Sequence, residues 1–393
     1  MSASDASRDP LGEGGFETIC AHYGEHRLAH GGGAAPPLYQ TSTFVYPDAE
    51  AFDRRLLPQN PYFDYTRVSN PTTALLEAKV ARLEHGTWCR AFGSGMGAIS
   101  SAINATIAQG AHVVAVANCY PPTREFLQQY LPKFGVQTTF VTSLDPQAFI
   151  AAMRPETKLV YLESPTFGVN HLIEIPPITA AARARGAATI FDNSWATPYF
   201  QNPLDLGVDL VVHSATKYIG GHSDVVAGLV IGRDESLRQA LRKEGELHGA
   251  TLDPFAAWLL VRGLRTLALR MRQHEQSGLA VARMLAEHPA VAQVNHPGLE
   301  THPNYAVGRR QLRGCAALFS FALRDQSKEA THRVLNRLRL FSIGVSWGGF
   351  ESLALGGTYF DAPDHKPTWL IRLSIGLECA DDLIADLRQA LED

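Results

Sequence analysis

The sequence predicts an α/β protein, doubly wound around a mostly parallel sheet with helices on both faces, followed by a smaller α+β portion. Three observations predict it. Short apolar runs rich in β-branched residues recur without polar alternation, the pattern of strands buried on both faces. The gaps between most of them are long enough for the crossover helix that parallel neighbours need. The chain has 393 residues, 45% of them hydrophobic and only 19% charged, which is enough apolar material for more than one core.

The elements follow in order. Up to about Asn60 the chain is rich in Gly and Pro, with Gly31-Gly32-Gly33, Pro36-Pro37 and Pro58, and reads as an extended arm. From Pro71, Leu75, Leu76, Val80 and Leu83 recur at helical spacing until Gly86 stops them. Gly93-Ser-Gly-Met-Gly97 then opens a second helix with Ile99, Ile103 and Ile107 on one face. The strand-like runs are 111–117, 136–141, 159–162, 187–191, 210–212 and 225–231. One long helical stretch runs from Phe255 towards Glu287. Beyond it come a strand near 317–323, a helix near 329–338, a strand near 369–375 and a closing helix at 381–391. This organisation divides the chain into an arm (1–64), a large α/β domain (65–258) and a C-terminal domain (259–393).

Composition narrows the function classes. The 35 basic residues face 39 acidic ones, a net charge of −4, so there is no electrostatic basis for binding nucleic acid or an anionic membrane. A small molecule is the expected partner. The five cysteines are scattered without a C-x-x-C pair, as in a cytoplasmic protein with reduced thiols, and the first ten residues lack the pattern of a signal peptide. No H-E-x-x-H or G-x-S-x-G occurs, and His296 and His302, in Pro-rich turns, read as surface or locally satisfied residues.

In an open parallel sheet, ligands bind beyond the carboxyl ends of the strands. Asp192 follows one strand, and Ser214-Ala-Thr216-Lys217 follows the next, so an acid and a lysine could share a cleft. A lysine among small residues can form a Schiff base with a carbonyl cofactor, and an acid can hold a pyridinium proton. Taken singly, a lysine near hydroxyls such as Lys217 is usually a solvated surface residue, and Asp192 is more often a helix cap or turn residue. The helix start at Gly95 and Met96 offers free amides to a phosphate, or is only a tight turn of small residues. Arg372 interrupts an apolar strand and lies on either an exposed edge or a cleft floor, where it could grip a carboxylate.

Together these features occur in an order that resembles a known family. Asp192-Asn-Ser-Trp-Ala-Thr-Pro198 and Ser214-Ala-Thr-Lys-Tyr-Ile-Gly-Gly-His-Ser223 resemble the signature of the Cys/Met-metabolism family of fold-type I pyridoxal-phosphate (PLP) enzymes. Tyr65-Thr-Arg67, Arg262-Gly-Leu-Arg-Thr266, Ser346-Trp-Gly-Gly-Phe-Glu-Ser-Leu353 and Arg372-Leu-Ser-Ile-Gly-Leu-Glu378 are similar to its other blocks, and the likeness runs from about residue 17 to the C-terminus. The resemblance implies PLP bound covalently to Lys217, paired with Asp192 and stacked on Tyr120, both Lys217 and Tyr120 being catalytic. Backbone of Gly95 and Met96 with Ser214 and Thr216 would hold the phosphate. Tyr65 and Arg67 would reach the phosphate of a neighbouring subunit, in a homotetramer built of active-site dimers. Ser346 and Arg372 would hold the substrate α-carboxylate.

Departures within the family choose among its reactions. Cys119-Tyr120-Pro-Pro-Thr-Arg-Glu125 and Pro165-Thr-Phe167 differ from many γ-acting members, while Trp195 and Trp347 resemble β-eliminating carbon–sulfur lyases. The expectation is therefore a lyase that cleaves cystathionine at its β-carbon to homocysteine, pyruvate and ammonia, in methionine biosynthesis. Glu125 would meet the distal ammonium of that substrate. A γ-acting lyase or synthase, or a general cysteine/cystine lyase, is the alternative; a non-catalytic phosphate-binding protein is a further one.

Overall fold

A computed structural model describes residues 14–57, 62–359 and 368–392. Met1 to Pro10 and Pro58 of the expected arm lie outside the described residues. The larger sheet has seven strands: β1 (Trp88–Phe92), β2 (His112–Val116), β3 (Gln137–Val141), β4 (Thr157–Glu163), β5 (Ala188–Asp192), β6 (Leu210–Ser214) and β7 (Gly228–Gly232). Their order across the sheet is β1-β7-β6-β5-β4-β2-β3, and only β7 runs against the rest. The mostly parallel sheet expected from the apolar runs is thus present. Its central strands are buried throughout, β2 and β7 without a single exposed residue, which is why their sequences carry no alternation.

Helix starts follow local chemistry. The Asn70 side chain accepts the Thr72 N–H at 2.8 Å, and Pro71 stands at the first position of the helix Pro71–Leu83. Ser94 caps Gly95–Asn104 in the same way, its Oγ accepting from Gly97 N at 2.9 Å.

The smaller sheet contains β8 (Val291–Asn295), β9 (Leu318–Leu323), β10 (Ser342–Ile343), β11 (Leu353–Tyr359) and β12 (Thr368–Ser374) in the order β10-β11-β12-β9-β8. Arg372 lies on β12, between β11 and β9, and is only 8% exposed, so the edge reading falls and the cleft reading stands.

Three other expectations are corrected. The single helix from Phe255 is two, Pro254–Leu264 and Leu267–Glu287. Arg270 explains the break: its guanidinium donates to Gly263 O at 2.8 Å and to Tyr218 O, tying the helix end to the turn after β6. The arm is not purely extended. Its helix Phe16–His22 buries Ile19 and Cys20, and just beyond it Glu25 meets the fully buried Lys79 amine at 3.1 Å. Removing one partner of such a buried pair typically costs about 3–5 kcal/mol, so this stretch is anchored to the body. His296 and His302 are buried, so the surface reading falls. Each is locally satisfied at Nδ1, His296 accepting from Gly298 N at 3.0 Å and His302 from Asn304 N at 3.2 Å, while the Nε2 of each has no hydrogen-bond partner among the described residues. No helix among the described residues is long and apolar enough to cross a membrane.

Candidate active site

The carboxyl ends of β2, β4, β5 and β6 open into one cavity of about 260 Å³. From the large sheet come Tyr120, Glu163, Asp192, Ser214, Thr216 and Lys217, together with Gly95 and Met96 at the helix start. From the smaller-sheet side come Arg372 and Trp347. The indole N–H of Trp195, also in the wall, donates to Leu318 O at 2.8 Å and so links the loop after β5 to the first residue of β9.

Lys217 sits on the turn after β6, where its carbonyl accepts from Gly221 N at 2.8 Å. Its Nζ donates to Ser346 Oγ at 2.6 Å and lies 5.4 Å from the Trp347 ring centroid. Burial pulls the amine down to about 8, the nearby Arg372 cation adds to this, and Asp192 opposes it. Ser346 also accepts the Arg372 Nη2 on its carbonyl at 2.9 Å. It does so with φ of 77°, in the left-handed region that strains a residue with a Cβ. One strained serine therefore touches both the amine and the guanidinium.

Asp192 and Glu163 stand side by side, in register, at the ends of β5 and β4. Burial raises both carboxyls, Glu163 well above the usual range. Asp192 has more to hold its charge: Oδ1 accepts from Ser194 N at 2.9 Å, and His213 and Lys217 pull it down. Glu163 has the Tyr120 N–H at 2.7 Å and faces the Asp192 charge. Of two carboxyls sharing a site, Asp192 is the one with the contacts that favour its charged form, and Glu163 the one that burial and its neighbour's charge push further towards the neutral form.

At the other end of the cavity, a Cβ on Gly95 would come within 2.8 Å of Ser214 Oγ. Only glycine leaves the helix amides open at this point. The Thr216 hydroxyl accepts from Ala227 N at 3.0 Å, which fixes the turn carrying Lys217. An anion-accepting helix start, an amine lowered towards neutrality and a buried carboxylate are the donor set that PLP requires for its phosphate, aldehyde and pyridine nitrogen. The residues present fit that cofactor.

Four expected site residues do not line this cavity; one of them, Ser346, still meets it through its bonds to Lys217 and Arg372. Tyr65 is 46% exposed, and Arg67 donates to Glu246 O at 2.6 Å, away from the cavity of their own chain. Glu125 lines a neighbouring cavity of about 340 Å³, which shares Phe167 with the first. Conversely, Glu163, Phe167, Asn170 and Leu318 line the cavity without having been singled out as site residues. Glu163 could have been found by applying the strand-exit rule to β4 as it was to β5 and β6.

The family described as "Cys/Met metabolism PLP-dependent enzyme" matches residues 17–392. An L-methionine gamma-lyase of Treponema denticola is 39% identical over 399 residues, covering 98% of this chain and 99% of that protein. One from Pseudomonas putida is 40% identical over 389 residues, covering 96% and 97%. A cystathionine gamma-synthase of Mycobacterium bovis is 38% identical over 401 residues, covering 98% and 100%. The crystal structure of metB from Corynebacterium glutamicum superposes with a TM-score of 0.90 at 33% identity, covering 96% of this chain and 97% of that one. This chain belongs to the Cys/Met-metabolism family of PLP-dependent, fold-type I enzymes, and is a carbon–sulfur lyase or synthase of that family.

Proposed function

We propose that the protein is a γ-acting carbon–sulfur enzyme, eliminating or replacing the sulfur group on the γ-carbon of an α-amino acid. The observation that carries the γ assignment is the end-to-end likeness to proteins named methionine γ-lyase and cystathionine γ-synthase. The β-acting cystathionine lyase expected from the sequence is not the name these relatives carry.

In this reading Lys217 would hold the cofactor, and its free amine would take the substrate α-proton as general base. Bound PLP supplies the electron sink for the resulting negative charge. Asp192 keeps the ring nitrogen protonated, and Tyr120 stacks on the ring. Gly95, Met96, Ser214 and Thr216 hold the phosphate. Arg372, with Ser346, receives the α-carboxylate through paired hydrogen bonds. γ-Chemistry needs a second proton removed at the β-carbon, and in this reading the same amine would take it. Glu125 faces the adjoining cavity, where the far end of a longer substrate would lie.

A second reading is β-elimination. Its support is local: Phe167, Trp195 and Trp347 all line the cavity and narrow it with three aromatic rings. The products distinguish the two. With cystathionine as substrate, 2-oxobutanoate is the expected keto acid. Pyruvate as the main product would overturn the γ assignment in favour of the β one; no keto acid from cystathionine, methionine or cystine would remove both eliminations, and failure to exchange the γ-substituent for an added thiol as well would remove the γ assignment altogether.

We also propose that the arm (1–64), the cofactor domain (65–258) and the C-terminal domain (259–393) act as units, and that a second copy completes each site. Val226 lines the cavity yet is 61% exposed, while Tyr65 and Arg67 do not line the cavity of their own chain. In this reading Tyr65 and Arg67 would reach a neighbour's phosphate in an active-site dimer, two of which would make a tetramer. Sedimentation of the active enzyme is expected to give an even-numbered assembly; a fully active monomer would overturn this.

A further inference from the structure

Next to the cavity lies a buried polar cluster, none of whose members lines it. Glu84, at the end of the helix Pro71–Leu83, is completely buried. Its Oε1 accepts from His213 Nε2 at 2.6 Å and from Asn193 Nδ2 at 2.7 Å, and its Oε2 from Asn202 Nδ2 at 3.4 Å. A carboxylate only accepts, so the imidazole proton in this contact sits on Nε2. His213 Nδ1 and Asn193 Oδ1 are buried without partners.

Asn193 follows Asp192, and His213 precedes Ser214. Successive residues of an extended chain point to opposite faces. Asp192 and Ser214 face the cavity while their neighbours turn away from it and meet on one carboxylate. The backbone completes the frame: Asn193 N donates to Val212 O at 2.9 Å, and Ser214 N to Ser194 Oγ at 2.6 Å. Two unpartnered buried acceptors are a cost that an apolar cluster of the same shape would avoid, and each needs an explanation.

We propose that Glu84 is a positioning residue for the cofactor site: through Asn193 and His213 it fixes the ends of β5 and β6, and with them the spacing between Asp192 and Ser214. The proposal rests on the reading above, in which these two residues meet opposite ends of PLP. It separates Glu84 from an ordinary packing residue, because Asn202 binds the same carboxylate, and Leu83 O at 2.9 Å, without adjoining any cavity residue.

The test uses apoprotein titrated with PLP, following affinity, the visible absorbance and visible circular dichroism of the bound cofactor, and the melting temperature. In Glu84→Ala, PLP affinity is expected to fall by about tenfold to a hundredfold, the range that loss of a supporting partner costs at a metal centre, with altered visible dichroism. Glu84→Gln restores most of both, since an amide oxygen at Oε1 still accepts from His213 and Asn193. Asn202→Ala binds PLP as the wild type does, whatever its melting temperature. Should Glu84→Ala not fold, His213→Leu, which cuts one of the two links, is expected to shift affinity and dichroism in the same direction. Wild-type affinity and dichroism in the folded Glu84 or His213 variant would overturn this proposal alone. So would an Asn202→Ala loss equal to that of Glu84→Ala. A wild-type protein that takes up no PLP would overturn the functional reading and this inference with it.

Discussion

Lys217→Ala is expected to yield a colourless protein with no measurable turnover. The substitution removes both the covalent anchor of the cofactor and the base for the α-proton. Proton transfer by a positioned base alone is typically worth about 10²–10⁴-fold. With the anchor gone as well, the loss should exceed that range, and added alkylamines should recover only a small part of it. The wild-type amine carries a further signature. Only its neutral form attacks an aldehyde, and burial brings it down to about 8. Capture of PLP by apoprotein should therefore quicken as pH rises towards 8 and level off above it. An exposed lysine would continue quickening towards a pKa of about 10.4. A yellow Lys217→Ala protein in which borohydride traps the cofactor on some other lysine that also anchors it in the wild type, or a capture rate still climbing above pH 9, would sink the assignment.

Asp192→Asn is expected to keep its cofactor and lose about 10²–10³-fold in kcat, the typical effect of removing one preorganised charge-stabilising group. Asparagine matches aspartate in size and can keep the Ser194 contact, so the fold should be spared. It cannot hold a pyridinium proton by charge. The sign of the local electrostatics supports the size of the effect: burial alone pushes the Asp192 carboxyl up, and a cation opposite it pushes it back down. The cofactor and Asp192 thus favour each other's charged forms, and that mutual gain disappears in the variant. Stopped-flow measurement of α-proton exchange would locate the loss at carbanion formation. A variant with near wild-type kcat would mean that the ring nitrogen is not protonated during turnover.

Much of the fold was legible because its signals are local. The apolar runs at β2, β4, β5 and β6 exclude polar residues for a reason visible in each window, and Asn70-Pro71 and Ser94 announce their helices within four residues. The helix Glu235–His248 went unread because it offers the core little: only Leu241 and Gly245 are buried. The helix break before Leu267 depends on Arg270 reaching Tyr218, a contact across 52 residues that no window contains. In the site, Lys217 and Asp192 were legible from strand exits and from the family likeness. Arg372 was ambiguous because the pattern of one strand does not say what flanks it. Glu84 was invisible: it looks like any residue at the end of a helix, and its meaning comes from partners 109 and 129 positions away.

The bond from the Trp195 indole to Leu318 O has an asymmetric inheritance. Its acceptor is main chain, so the side chain at 318 can drift without touching it. Its donor is the indole N–H, which neither phenylalanine nor a tyrosine hydroxyl reproduces at that point. Tryptophan is specified by a single codon, so every point change within it removes this one bond between the loop after β5 and β9. A change at 195 that loses the indole therefore loses the bond, whereas a change of side chain at 318 leaves the acceptor in place.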